Sequence, residues 1–134
     1  MPKRLFYRLT DGIRITVTPS FLATQSRPTL GRFVFAYEVR IENVGTETVQ
    51  LLSRRWLIHD GTTGEDQEVL GDGVVGEQPV IQPRGIYEYQ SYCILKGPTG
   101  YMEGHYDFSR DKGERLRALI PRFELDATAE VDRA

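Results

Sequence analysis

Gly71-Asp72-Gly73-Val74-Val75-Gly76 spells Gly-x-Gly-x-x-Gly, the spacing with which three glycines let a backbone approach a pyrophosphate at the start of a helix. The residues that follow are Glu77-Gln78-Pro79-Val80-Ile81-Gln82-Pro83. Pro79 and Pro83 stand where the first turns of that helix would run, and a proline inside a helix removes a donor and costs roughly 3 kcal/mol. The stretch therefore reads as a connection between strands, in which Gly71, Gly73 and Gly76 supply positive φ angles. Two chemical uses stay open for it. Its amides could form a nest for a phosphate, a pyrophosphate or a partner's carboxylate, with Arg54, Arg55, Arg84 or Lys96 folded in to supply charge. Alternatively Val74 and Val75, read as an exposed loop tip, could anchor a protein partner. From Asp60 to Glu77 the chain holds six acids and no Lys or Arg, a field that repels phosphate unless those cations arrive.

The remaining chemistry is thinner. In a strand Arg54 and Arg55 face opposite sides, so Arg54 shares a face with Trp56, which reads as a packing residue. Arg54 is then placed at the rim, where it could pair with a carboxylate or bind an anion. Zinc would need a cluster of His and Cys, and the chain has only His59, His105 and Cys93. Asp60, Glu65, Asp66 and Asp72 are oxygen ligands without EF-hand spacing, so no metal site is assigned. Neither a Gly-x-Ser-x-Gly elbow, a Walker loop nor a His-Glu-x-x-His pair is present, and no catalytic residue is assigned. Ser91, His105 and Asp107 form a nucleophile, base and acid on paper only.

The elements that must hold these residues are strands. Phe33, Phe35, Tyr37, Val39 and Ile41 alternate with polar neighbours over a clear half-buried strand. Further strands are predicted over Ile13 to Val17, resuming at Phe21-Leu22 after Pro19, and over Val49 to Asp60. A short edge strand is read at Asp66 to Leu70, then strands at Ile86 to Leu95, Tyr101 to Phe108 and Arg117 to Leu125. Pro19 and Pro121 inside these patterns predict edges or bulges. About seven strands with no long helical period define an all-β antiparallel sandwich. One domain is expected over residues 1–126, with 127–134 a fraying tail.

With 134 residues, 40% hydrophobic and 27% charged, the chain is long enough for one real core. The net charge of −2 divides unevenly: residues 1–41 carry seven Lys or Arg against two acids, and residues 42–78 eight acids against Arg54 and Arg55. Neither half is basic enough to imply nucleic acid. No apolar run approaches the ~20 residues of a membrane helix, and no signal peptide is visible. With a single cysteine as well, the expectation is a cytoplasmic protein without an internal disulfide.

Five segments occur in order: Leu52-Ser53-Arg54-Arg55-Trp56-Leu57-Ile58, Gly71 through Pro79, Tyr89-Gln90-Ser91, Gly100 through Tyr106, and Ile120-Pro121-Arg122-Phe123. Together they resemble the bacterial ApaG family over roughly residues 13 to 126. The pair Tyr92-Cys93 departs from the smaller residue expected after the serine. The resemblance implies an immunoglobulin or fibronectin type III-like β-sandwich and a link to cobalt and magnesium efflux. It supplies no catalytic residues. Related domains in eukaryotic F-box and polymerase-associated proteins look like protein-interaction modules. The expectation is thus a non-enzymatic binding or adaptor module with a protein partner and no cofactor, and its sheet edges admit a homodimer. The alternative is a phosphate, pyrophosphate or nucleotide-binding module at Gly71 to Gly76, with a nucleotide hydrolase as a remote third.

Overall fold

The computed structural model describes residues 4–128. Among these residues nine strands form two antiparallel sheets. In the first, β1 (Phe6–Thr10), β2 (Ile13–Phe21), β3 (Phe33–Asn43) and β7 (Ile86–Leu95) lie in the order β1-β2-β3-β7. The second holds β5 (Asp66–Asp72), β4 (Val49–Asp60), β8 (Thr99–Arg110) and β9 (Arg115–Asp126) in the order β5-β4-β8-β9. The two-residue β6 (Val80–Ile81) pairs with β4 beside β5. β1 and β2 pack on β9 and close one side of the sandwich. On the other side β7 and β5 are both sheet edges.

Alternation drives this arrangement. Ile13, Ile15 and Val17 of β2 and Phe35, Tyr37, Val39 and Ile41 of β3 are turned into the core, where Trp56, Tyr106, Phe108 and Phe123 meet them. Trp56 packs edge-on against Tyr106 at 6.1 Å and Phe123 at 5.8 Å, and tilted against Tyr37 at 5.3 Å. These are favourable geometries for aromatic pairs.

The expected count of about seven strands falls short by β1 and β6. In β1 the apolar residues are on the wrong side: Tyr7 and Leu9 are exposed, and Phe6 alone reaches the core, against Phe123. β2 runs unbroken through Pro19. Its pairing with β1 ends at Phe6 opposite Val17, so no ladder partner on that side needs the missing amide. Pro121 does sit at a bulge, where Pro121 and Arg122 oppose Glu103 alone. Of the expected tail, Ala127 is 3% exposed and donates its N–H to Pro98 at 2.8 Å, so order runs past residue 126. Residues 129–134 lie outside the described residues.

Candidate functional site

A bulge in β4 sets the site. Leu51 faces Phe108 and Ser53 faces Asp107, so Leu52 is an extra residue without a partner on β8. Its carbonyl turns to the glycine segment instead, accepting from the Gly73 N–H at 2.8 Å and from Gln78 Nε2 at 2.9 Å. Arg54, two residues on, donates from Nη1 to the carbonyls of Asp72 at 3.1 Å and Gly73 at 2.8 Å. The segment is therefore clipped to β4 from both sides.

Each glycine has a different physical task. Gly71 is not at positive φ, contrary to expectation. It is the floor under Arg54, because a Cβ there would lie 2.8 Å from the guanidinium. Gly73 has φ +61, and a Cβ would meet the Glu77 carbonyl oxygen at 2.0 Å. Val74 and Glu77 exchange N–H bonds at 2.8 and 2.9 Å around Val75 and Gly76, with φ of 42 and 79. Two positive φ values in a two-residue loop make a tight β-hairpin, the geometry that suits the twist of its arms.

This hairpin corrects the reading of Val74 as an exposed tip. Val74 is fully buried in the core, since the exchange with Glu77 turns it inward, and only Val75 protrudes, 61% exposed. The proposed phosphate nest loses donors for the same reason: the amides of Gly73, Val74 and Glu77 are committed to carbonyls. Of the four cations weighed for the loop, only Arg54 comes to it. Arg55 lies on the opposite sheet face, 2.7 Å from Glu68, and Lys96 is 3.1 Å from Glu65. Arg84 is exposed at φ 70 in a turn whose N–H donates to Asn43 at 2.7 Å.

Arg54 shares the inner face with Trp56, as expected, and both line a slot of about 420 Å³ between β5 and β7 with Tyr37, Val69, Ser91 and Cys93. The neighbouring polar groups are neutral. Burial pushes the Cys93 thiol up to about 12 and raises the Tyr37 hydroxyl, which Ser91 hydrogen-bonds. Burial likewise raises Tyr89 and Tyr106, whose hydroxyls share a hydrogen bond. Arg54 is the one charged residue lining the slot, and it makes no ion pair among the described residues.

The paper triad comes apart. Ser91 is in the first sheet, whereas His105 and Asp107 are on β8 in the second. Beside Asp107 stand Ser53 at 3.3 Å and Arg117 at 2.9 Å, and His105 Nδ1 is 3.8 Å away without a hydrogen bond. Burial lowers the His105 pKa, as do Arg117 and Arg55, against an opposing pull from Asp107. Asp60, counted among the oxygen ligands, is 7% exposed and engaged within the fold. Its Oδ1 accepts from the N–H groups of Thr62 at 2.9 Å and Thr63 at 3.2 Å, and its Oδ2 from Lys96 at 2.7 Å. Among the described residues no three His, Cys, Asp or Glu side chains are gathered to hold a metal, and no helix is long and apolar enough to cross a membrane.

Two antiparallel sheets, a Gly-x-Gly-x-x-Gly hairpin clipped to a bulge, and an arginine seated on the first glycine define an immunoglobulin or fibronectin type III-like sandwich with one elaborated edge. The ApaG domain matches residues 23–110. The chain belongs to the ApaG family. It is 48% identical over 115 residues to Protein ApaG of Maricaulis maris, covering 86% of this chain and 88% of the relative. With Protein ApaG of Rhodospirillum centenum it shares 49% over 123 residues, 92% and 94% of the two chains. A crystal structure of the Bordetella pertussis protein designated ApaA superposes with a TM-score of 0.83 at 40% identity, covering 90% of this chain and 94% of that one.

Proposed function

We propose that this chain is a cytoplasmic, non-enzymatic binding module, working without a cofactor, that docks a protein partner on the rim around its glycine hairpin. The observation that carries this reading is the exposure of three apolar side chains along one edge of β4. Val75 is 61% exposed at the hairpin tip, with Leu70 at 66% on β5 and Val80 at 62% on β6. A hairpin whose own bonds are satisfied presents such residues at little conformational cost, which favours binding. The phosphate reading draws less support, because the nest it requires has given its donors to carbonyls. The link to cobalt and magnesium efflux implied by the family resemblance then runs through the partner.

The test is affinity capture from native lysate with wild type and Val75→Asp. The variant should lose the captured protein while melting within a degree or two of wild type, since Val75 is on the surface. Val74→Asp is unsuitable, because a charge at that buried position unfolds the domain. Equal retention by wild type and Val75→Asp would remove the rim from the binding surface.

A further inference from the structure

The geometry points to a second docking site: the slot between β5 and β7 takes the extended C-terminal end of a partner polypeptide, added as a strand to β7 with its terminal carboxylate on Arg54. This goes beyond the rim around Val75 and uses different residues.

The sheets leave a strand position vacant. Among the described residues β7 is the last strand of its sheet, so alternate N–H and C=O groups along Ile86–Leu95 have no ladder partner there. That strand carries little of the usual protection of an edge: Glu88 is its one charged residue, and it holds no Lys, Arg or Pro and no bulge against β3. In the opposite sheet, β5 makes its principal contacts with β4. Val69 on β5 is only half-buried and Gln67 is exposed, although both line the slot. A strand beside β7 would lie over them and complete that layer, which is the β-augmentation mode of peptide recognition.

The two ends of the slot differ. At one end the hairpin closes it, tied to β7 by the Tyr87 hydroxyl donating to Glu77 at 2.9 Å. At the other it continues between Ile58, Gln67, Ile94 and Lys96. Arg54 stands at the closed end, on the side of Gly71. A chain entering from the open end and stopping at the hairpin runs antiparallel to β7, and it brings its terminus to the guanidinium. Nη1 of Arg54 is held by the carbonyls of Asp72 and Gly73, leaving Nε and Nη2 to grip a carboxylate. Tyr37, Trp56, Cys93 and Met102 line the rest, which suits a large apolar last residue. The charge decides the occupant: an internal strand or a neutral terminus would leave this cation desolvated and unpaired.

The test uses N-acetylated pentapeptides of sequence Thr-Val-Thr-Val-Xaa, with Val, Leu, Phe or Tyr last, each as the free acid and as the amide. Binding is read from Trp56 fluorescence, the only tryptophan of the chain, and from the amide resonances of Ser91 to Ile94. At least one free acid should shift both signals, and its amide should bind about tenfold more weakly, the equivalent of about 1.4 kcal/mol. Arg54→Lys should remove most of that acid preference. Val69→Asp, which faces a carboxylate with a like charge, covers the case in which Arg54→Lys loosens the hairpin. Val75→Asp should bind the acid normally, so this site and the rim fail separately. Equal binding of acid and amide, or no response at millimolar peptide, would overturn the proposal. So would a peptide-free dimer through β7, seen by sedimentation, or equal binding of isovalerate alone, which would make the slot a small-molecule pocket.

Discussion

Asp60→Ala is expected to lower stability by about 3 kcal/mol, roughly 10 °C in melting temperature for a chain of this size. The carboxylate ends β4 in one sheet, and its Oδ2 receives the N–H of Lys96, the residue after β7 in the other. It thus pins the two sheets where the slot opens, while Oδ1 fixes the turn through Thr62 and Thr63. Removing it strips the acceptor from three amides whose bonds are part-buried, and at about 1 kcal/mol each, the lower end for an unsatisfied group, the loss comes to about 3 kcal/mol. Burial alone would raise the Asp60 pKa, but the amides of Lys96, Thr62 and Thr63 together outweigh it and hold the value below normal. A depressed folded pKa stabilises above the unfolded value, and the contribution is lost as pH falls below about 4 toward the folded pKa. Denaturant unfolding should show wild type losing this increment on acidification and Asp60→Ala lacking that part of the slope. Asp60→Asn keeps one acceptor and should fall between them. An alanine variant that melts with wild type would show that the clamp carries no stability.

Gly73→Ala should cost about 3 kcal/mol through two separate effects. An alanine at φ +61 is strained by about 1 kcal/mol. Its Cβ also meets the Glu77 carbonyl oxygen at 2.0 Å, so the hairpin must open, which disturbs the exchange between Val74 and Glu77 and the bond to Leu52. Gly76→Ala is the comparison, because a Cβ there meets nothing within 4 Å and only the φ of 79 opposes it. Chemical denaturation should therefore place Gly73→Ala well below Gly76→Ala. Equal values would mean that the close approach at residue 73 relaxes cheaply.

Much of this fold is legible in the residue order, for reasons that vary by strand. β3 announces itself because Phe33, Phe35, Tyr37, Val39 and Ile41 all turn inward, and period-2 alternation is the strongest local signal a strand carries. β1 is silent because its pattern is inverted: Tyr7 and Leu9 face outward, and Arg8 and Thr10 accompany Phe6 on the other face. The clue to it was the dipeptide Asp11-Gly12, which forms a hairpin turn with φ of 45 and 86. Pro79 and Pro83 suffice to reject a phosphate-binding helix after Gly76. The same segment misleads about Val74, because Val75-Gly76 is a poor advertisement for a turn with two positive φ values. Spatial pairs are hidden entirely. That Arg54 rests on Gly71, and that Ser53 rather than Ser91 lies beside Asp107, depends on cross-strand register and on the extra residue at Leu52.

Cys93 has one more use, as a clock built into the sandwich. With its side chain buried and its thiol pushed up to about 12, Cys93 stays in the unreactive thiol form at pH 7 while the sheets stay together. Alkylating reagents attack thiolates, so modification of the native protein must wait for the β7 edge to separate from its neighbours and restore an ordinary thiol. The labelling rate then reports how often that edge opens, without any added dye or isotope.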